Sequence, residues 1–408
     1  MIKKLFKNIG PGPLIAAAFI GPGTVTVCTI AGVNFGYALL WAMVLSIVAT
    51  VVLQEMAARL GVISQKGLSE IIRQEIKNPI LRGFIIVLIL SAIVIGNAAY
   101  EAGNISGGAL GVQTLFGNQV FAVASLKLNL TAIVIGLVAF ILLYIGNYKV
   151  LEKALVFLVI LMSLAFLFTA IITKPNLMAV FKGMFVPRFP EKSILTIIGL
   201  IGTTVVPYNL FLHVSLAKTK WKGQSDLGYA RKDTIIAVVV GGLVSMCIII
   251  SASAIPAQDV LNASDLAKGL EPLFGSFAKY FLAIGLFAAG ITSAITAPLA
   301  AAFVASGCLG WTSDLKSIKF RMVWMIILGL GVLFSSIGFK SIEIIKFAQV
   351  ANGLLLPVIA GLLLWVMNKA SILGGYRNSK LQNILGFGIL IVTIFLGVKG
   401  ILSVFKVI

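Results

Sequence analysis

Two ionisable side chains lie deep within long apolar stretches, where they could exchange protons or help to bind an ion. Glu101 lies between Asn97 and Asn104, its candidate partners, and His213 is the only histidine among the 408 residues. A carboxylate inside a membrane span is costly and usually functional, and histidine titrates near neutral pH. We therefore predict a proton pathway through Glu101, His213 and Asn97. The simpler alternatives are a protonated, structural Glu101 and a His213 that only bonds a neighbouring helix.

Helix-breaking residues interrupt two apolar segments at comparable depth. Gly21, Pro22 and Gly23 lie in the middle of the first segment, and Pro207 interrupts the sixth shortly after Thr203. Proline removes a backbone donor and clashes with the preceding turn, and open backbone within a membrane is tolerated where it lines a polar cavity. We therefore predict two unwound breaks between half-helices, whose ends face a ligand near the bilayer midplane. Ordinary proline kinks are the simpler alternative.

The predicted substrate-binding residues lie at these two breaks and in the tenth apolar segment. They are Gly21, Pro22, Thr24, Thr203, Val206, Tyr208 and Gln349.

The composition places these residues in a membrane. The chain is 60% hydrophobic and 11% charged, whereas soluble domains carry about 25% charged residues. It divides into roughly eleven apolar segments of the ~20 residues that cross a bilayer, which predicts an all-α polytopic membrane protein with one transmembrane domain. Breaks in the first and sixth segments predict two inverted five-helix repeats, about 10–173 and about 194–367, followed by an extra helix at about 382–405.

The basic residues indicate how the chain is oriented. The formal net charge is +19, and most Lys and Arg residues lie in short loops between apolar segments. Such a bias reflects membrane topology rather than nucleic-acid binding. It predicts a cytoplasmic N-terminus and an outside C-terminus in the plasma (inner) membrane of a prokaryote, although the basic loop 174–192 is placed outside. The same orientation places 67–76 along the inner surface, and Gln54 and Glu55 at the membrane interface.

Several classes of activity find no support in the sequence. The three cysteines are scattered and suggest neither a disulfide framework nor a metal cluster. A single histidine excludes multi-histidine metalloprotease sites, and no glycine-rich ATP-binding motif occurs. We therefore expect a secondary transporter rather than an enzyme, with no cofactor. A channel is the remote alternative, because no charged ring or continuous polar stripe is visible. The sequence does not indicate an oligomeric state.

Longer motifs give the chain a family resemblance. The motifs are Gly10–Tyr37 and Pro207–His213 and, more loosely, Gly290–Ser293 and Gln349 with Pro357. Over nearly its whole length, the chain resembles the Nramp family of proton-coupled divalent-metal transporters. The resemblance implies a LeuT-type fold with broken helices one and six, alternating access, and a Glu101 that matches an acidic position on the family's proton route. A proton is then the candidate coupling ion.

The departures from the family pattern fall on the metal site. Gly21 and Thr24 replace the family's Asp and Asn ligands, Thr203 and Val206 replace its Ala and Met, and Tyr208 replaces a histidine. These residues offer no charge and no soft donor, whereas transition metals favour carboxylate, imidazole or thioether ligands. The sequence therefore predicts a weakly dehydrated metal ion such as magnesium as the substrate. A small organic, amino-acid-like solute is the alternative.

Overall fold

The computed structural model describes residues 10–11, 20–117, 120–123, 126–146, 149–256, 260, 262–312, 314–337 and 340–404. Helices make up almost all of this part of the chain. They are, in chain order, α1 (Pro22–Phe35), α2 (Leu40–Ser64), α3 (Leu68–Glu75), α4 (Pro79–Phe116), α5 (Leu130–Ile145), α6 (Lys149–Ile172), α7 (Leu177–Phe185), α8 (Ile194–Thr204), α9 (Pro207–Lys220), α10 (Leu227–Ala252), α11 (Ala263–Ala267), α12 (Glu271–Phe274), α13 (Ala278–Leu309), α14 (Ile318–Ser336), α15 (Ser341–Met367), α16 (Ala370–Leu373) and α17 (Lys380–Val404).

Single 3-10 turns and one hairpin complete the architecture. The 3-10 turns are Gln224–Asp226, Lys268–Leu270, Gly275–Phe277 and Gly374–Tyr376. The hairpin between α4 and α5 pairs β1 (Val120–Val123) with β2 (Leu126–Asn129), antiparallel.

The long apolar helices confirm the predicted all-α polytopic membrane fold. Within the described residues, 8 helical segments are long and apolar enough to cross a membrane, and a bent pair, Val156–Ile172 with Leu177–Phe185, raises this to 9. The pair bends by 119° because the left-handed Lys174 and the following proline end α6. The expectation of roughly eleven spans is higher for two reasons: the first span falls partly on 12–19, outside the described residues, and α5, with 16 residues, is shorter than a full span. The repeat boundaries stay a prediction.

The structure shows where a helix begins at the first predicted break, and it shows both sides of the second. Gly21 has an extended backbone (φ −109°) and precedes α1, which begins at Pro22. The half-helix predicted before Gly21 falls largely on 12–19, outside the described residues. In the sixth segment, α8 ends at Thr204 and α9 begins at Pro207. Proline suits the first helical position because its missing N–H would have no partner there.

The long helix α4 is mainly exposed in its first half and buried in its second half, where it crosses α13 at a pair of glycines. A Cβ atom built on Gly290 would lie 2.6 Å from the Cα atom of Gly108. Small residues at such a crossing let two backbones touch. This turn of α4 is therefore in direct backbone contact with α13. Gly107, beside the crossing, packs directly against Pro22 of the first break.

At one end of the bundle, hydrogen bonds join segments that are distant in sequence. Gly10 donates its N–H to Asp233 Oδ1 at 2.9 Å. Tyr376 donates its hydroxyl to Gln224 Oε1 at 3.1 Å, and its carbonyl accepts from Arg59 at 2.6 Å. We call this end, which comprises Gly10, α3 and the loops 221–226 and 368–379, the basic end.

The structure corrects one expectation at this end. Gln54 was expected at the membrane interface, but its side chain is fully buried. Helix α2 continues to Ser64, so Gln54 lies almost three turns before the helix end and inside the bundle. Glu55 is 12% exposed and forms ion pairs with Arg59 and Arg231.

Candidate substrate site

A hydrogen bond between two threonines joins the two helix breaks. The hydroxyls of Thr24 and Thr203 are 2.6 Å apart, and either can be the donor. Both side chains are buried. The short distance is typical of a well-formed O–H···O bond. Two of the predicted substrate-binding residues, separated by 179 positions in the chain, therefore lie in direct contact.

Gln349 of α15 lies against both breaks. A Cβ atom on Gly23 would collide with the Gln349 side-chain amide, and one on Gly202 would collide with its backbone carbonyl. Glycine at these two positions therefore makes room for Gln349. Its Oε1 atom is buried and has no hydrogen-bond partner among the described residues. Gln349 is therefore the third predicted substrate-binding residue beside the breaks, and its Oε1 atom is available to accept a hydrogen bond.

A serine on α13, which the sequence analysis did not select, also reaches the first break. The Ser293 hydroxyl lies 3.1 Å from the place where a Cβ atom on Gly21 would be. In the described part of the chain, this hydroxyl is buried without a partner. The available signal was the run Thr292-Ser293 followed by Thr296, which places three hydroxyls within about one turn of an apolar helix.

The second break is lined by an aromatic pair. The rings of Tyr208 and Tyr100 meet edge to face, with centroids 5.3 Å apart, and the Tyr208 hydroxyl lies near Tyr100 and Thr296. The Val206 carbonyl accepts the N–H of Asn209 at 3.0 Å, so it closes the first turn of α9. Both polar side-chain atoms of Asn209 are buried and unpartnered within the described residues.

Glu101 is fully buried in α4, directly after Tyr100 in the chain. Its Oε2 atom accepts a hydrogen bond from Asn104 Nδ2 at 3.3 Å, whereas Oε1 has no partner in the described ranges. The side chain packs directly on Gly331 of α14. Asn97 donates to the Ala297 carbonyl on α13 at 3.0 Å, so of the two flanking amides only Asn104 bonds the carboxyl.

His213 lies away from the breaks and is bonded at both ring nitrogens. Its Nδ1 atom is 2.7 Å from Gln54 Oε1, and Nε2 is 3.4 Å from the Thr234 hydroxyl. Because an amide oxygen can only accept, Nδ1 carries a proton. Nε2 is then an acceptor, and it shares the hydroxyl hydrogen of Thr234 with the nearer Ala230 carbonyl, at 2.8 Å. Six residues separate His213 from Pro207, about 9 Å along α9. The ring therefore joins α9 to α2 and α10.

The atoms around the breaks that could bind a metal ion are neutral oxygens. No group of three or more His, Cys, Asp or Glu side chains that could hold a metal ion occurs in the part of the chain that the structure describes. Threonine and serine hydroxyls, an amide oxygen and backbone carbonyls remain, and these are hard ligands.

Polar groups gathered at two helix breaks inside a polytopic helical bundle define a membrane transporter and not an enzyme. Residues 12–403 match the family model described as "Natural resistance-associated macrophage protein-like". The chain belongs to this family, the Nramp family of metal-ion transporters.

Curated relatives and solved structures agree with this assignment. The chain is 28% identical over 402 residues to the divalent metal cation transporter MntH of Ralstonia nicotianae, covering 93% of this chain and 87% of the relative. It is 26% identical over 383 residues to MntH of Verminephrobacter eiseniae, covering 90% and 83%. A crystal structure of the Eremococcus coleocola manganese transporter matches with a TM-score of 0.75 at 22% identity, covering 98% of this chain and 87% of that one. The transporter Mhp1, of the nucleobase-cation-symport-1 family, matches with a TM-score of 0.55 at 12% identity, covering 97% and 93%. These structural likenesses support the LeuT-type fold.

Proposed function

We propose that the chain is a secondary transporter that carries a divalent cation by alternating access between two half-helix pairs. The binding site lies between Gly21–Thr24 and Thr203–Tyr208. The names of the MntH relatives, which are divalent metal cation transporters, support the class of substrate. The observation that carries the proposal is the contact of Thr24 with Thr203 at 2.6 Å, because it brings both helix breaks to one point.

The neutral ligands favour an ion that keeps much of its water. A divalent cation stripped of water beside uncharged groups would lose far more hydration energy than hydroxyls could return. Magnesium dehydrates reluctantly and usually keeps several waters in protein sites. The unpartnered oxygens of Ser293 and Gln349 are suitable acceptors or donors for such waters. We therefore infer a hydrated magnesium-like ion as the cargo.

The organic solute stays the weaker candidate. Its support is the aromatic lining by Tyr208, but this ring packs against Tyr100, and all of it is buried. Family membership and the named function of the relatives favour an ion.

Glu101 is proposed as the group that takes up and releases the coupling proton. It is buried, and within the described residues one of its oxygens makes no hydrogen bond. An intramembrane carboxyl with a free oxygen is suited to change its protonation state. Tyr100, the residue before Glu101 in α4, packs against Tyr208, so the proposed proton site is near the proposed cation site.

The proposed orientation places the basic end in the cytoplasm of a prokaryote, with the C-terminus outside. The excess of Lys and Arg in the loops of this end supports it. The test is labelling of single cysteines at Lys220 and Gly375 with a membrane-impermeant maleimide. We expect neither to react from outside until the membrane is permeabilised, whereas a cysteine at Lys192 reacts at once. Labelling of Lys220 and Gly375 from opposite sides would refute the topology.

Calorimetry with magnesium and manganese tests the cargo. We expect no manganese binding at micromolar concentration to the native protein and weakened magnesium binding in Thr203→Val. Thr50→Val is the matched control, because it removes a buried hydroxyl that only bonds the carbonyl of Ser46 in its own helix. Tight manganese binding by the native protein would contradict the ligand argument. Binding of a small amino acid in place of either cation would favour the organic solute.

A gain-of-function variant sharpens the same test. The combined variant Gly21→Asp, Thr24→Asn and Val206→Met restores a carboxylate, an amide oxygen and a thioether, which manganese prefers. The extended backbone of Gly21 accepts a side chain, and the Ser293 hydroxyl lies close enough to hydrogen-bond the new carboxylate. We expect measurable manganese affinity in the triple variant, and less in Gly21→Asp alone.

A further inference from the structure

A groove unrelated to the helix breaks opens on the side of the bundle at the basic end. It lies between α2, α10 and α17, is open to the outside, and has a volume of about 300 Å³. Its walls are mainly apolar, from Val52, Met56, Ile235 and Leu385. Ile235 and Leu385 are each 41% exposed. In a membrane protein, such a wall at a helix end faces the upper acyl-chain region of one leaflet.

The polar end of the groove is formed by Arg231. This residue lies in the second turn of α10, and its Nε atom bonds Glu55 Oε1 at 2.7 Å. Among the described residues, Arg231 makes this one hydrogen bond, so its two terminal nitrogens remain able to donate. The side chain is 42% exposed. Glu55 also pairs with Arg59, so the three side chains together carry one net positive charge.

We propose that this groove binds an anionic phospholipid. The phosphate is held by the terminal nitrogens of Arg231, and one acyl chain lies along Val52, Ile235 and Leu385. A guanidinium offers two parallel donors that match phosphate geometry, and the basic loops around it attract anionic headgroups. The lipid then bridges α17 to α2 and α10, which contact one another beside it.

The apolar walls of the groove and the positive charge of Arg231 together favour an anionic lipid over other ligands. A free phosphate would satisfy Arg231 but leave the apolar walls uncovered. A zwitterionic lipid would cover the walls and offer a phosphate, but its ammonium group would be repelled by the net positive charge of Arg231, Glu55 and Arg59. An anionic lipid meets both requirements at once. The exposed Lys232 and Lys380 lie at the same helix ends and add to the local positive field.

The test is thermal unfolding of the purified, delipidated full chain in detergent, titrated with phosphatidylglycerol or with phosphatidylcholine of identical acyl chains. We expect phosphatidylglycerol to raise the Tm in a saturable way and phosphatidylcholine to raise it much less. Arg231→Gln should weaken the apparent phosphatidylglycerol affinity roughly tenfold. Lys232→Gln, which removes the same charge one residue away, should weaken it far less, because Lys232 contributes only to the field around the groove. Glycerol 3-phosphate, the soluble headgroup, should have no effect.

A second variant keeps the test decisive if Arg231→Gln folds poorly after losing its ion pair. Leu385→Trp fills the groove while Arg231 and Glu55 remain intact, and it should also abolish the phosphatidylglycerol effect. Equal shifts with both lipids, or an undiminished shift in Leu385→Trp, would overturn the proposal. A full shift with glycerol 3-phosphate alone would instead identify a site for free phosphate.

Discussion

Glu101 and His213 are both fully buried ionisable side chains, yet their surroundings differ. His213 has a partner at each ring nitrogen, Gln54 and Thr234, on two other helices. Glu101 has one hydrogen bond, from Asn104 in its own helix, and its other oxygen is unpartnered within the described residues. The sequence analysis predicted a proton pathway through both.

Burial is the same for both side chains, so it does not distinguish a proton carrier from a structural residue. The number of polar atoms that have hydrogen-bond partners does. Leaving a buried polar atom without a hydrogen-bond partner costs about 1–3 kcal/mol of stability. We therefore expect such an atom where function requires the group to change its protonation state. The bonded ring of His213 instead holds α2, α9 and α10 together. We therefore expect loss of Glu101 to affect coupling, and loss of His213 to affect stability.

The largest effect is expected for Glu101→Gln. The amide keeps the shape of the carboxyl but cannot exchange a proton, so an imposed pH gradient should no longer drive transport. We expect driven uptake of the cation into proteoliposomes to fall on the order of a hundredfold, the lower range for loss of a proton-transfer group. His213→Gln is the matched control and should keep its response to the gradient. An unchanged pH dependence in Glu101→Gln would assign the proton to another group.

A smaller effect is expected when Glu101 is displaced rather than replaced. A Cβ atom on Gly331 would collide with the Glu101 side chain and press on its backbone. Gly331→Ala should therefore destabilise the protein by about 1–3 kcal/mol, as overpacking does, and reduce coupling in part.

The control for this variant lies on the same helix. A Cβ atom on Gly329 would meet nothing within 4 Å, so Gly329→Ala should leave both the Tm and uptake unchanged. Equal behaviour of the two variants would show that the packing of Glu101 against α14 does not matter for coupling.

The smallest effect on transport is expected at His213. His213→Leu leaves Gln54 without its donor and should lower stability by about 1–3 kcal/mol, measured as a lower Tm. Gln54→Leu should cost a similar amount. The double variant should cost less than the sum, because both single changes break the same hydrogen bond. Strictly additive losses, or loss of pH dependence in His213→Leu with normal folding, would contradict a structural role.

The sequence predicted the features that local chemistry determines. Glycine and proline inside apolar segments located both breaks, and an amide side chain in an apolar helix pointed to Gln349. Contacts between distant helices depend on how each helix is rotated and how far it extends, which local patterns do not specify. The approach of Ser293 to Gly21 and the bond between Gln54 and His213 were missed for this reason. Gln54 was misplaced because helix α2 extends further than the apolar pattern indicated.

The glycine crossing of α4 and α13 has a mechanical consequence. Backbone touches backbone at Gly108 and Gly290, so no side chain can change rotamer there to let the helices slide. The two helices can tilt relative to each other about this point and keep the contact, so the crossing is a pivot. It divides the 38 residues of α4 into lever arms of about 44 Å and about 12 Å. A small tilt hardly moves Pro22 beside the pivot but swings the start of α4, at Pro79, through an arc almost four times that of its opposite end.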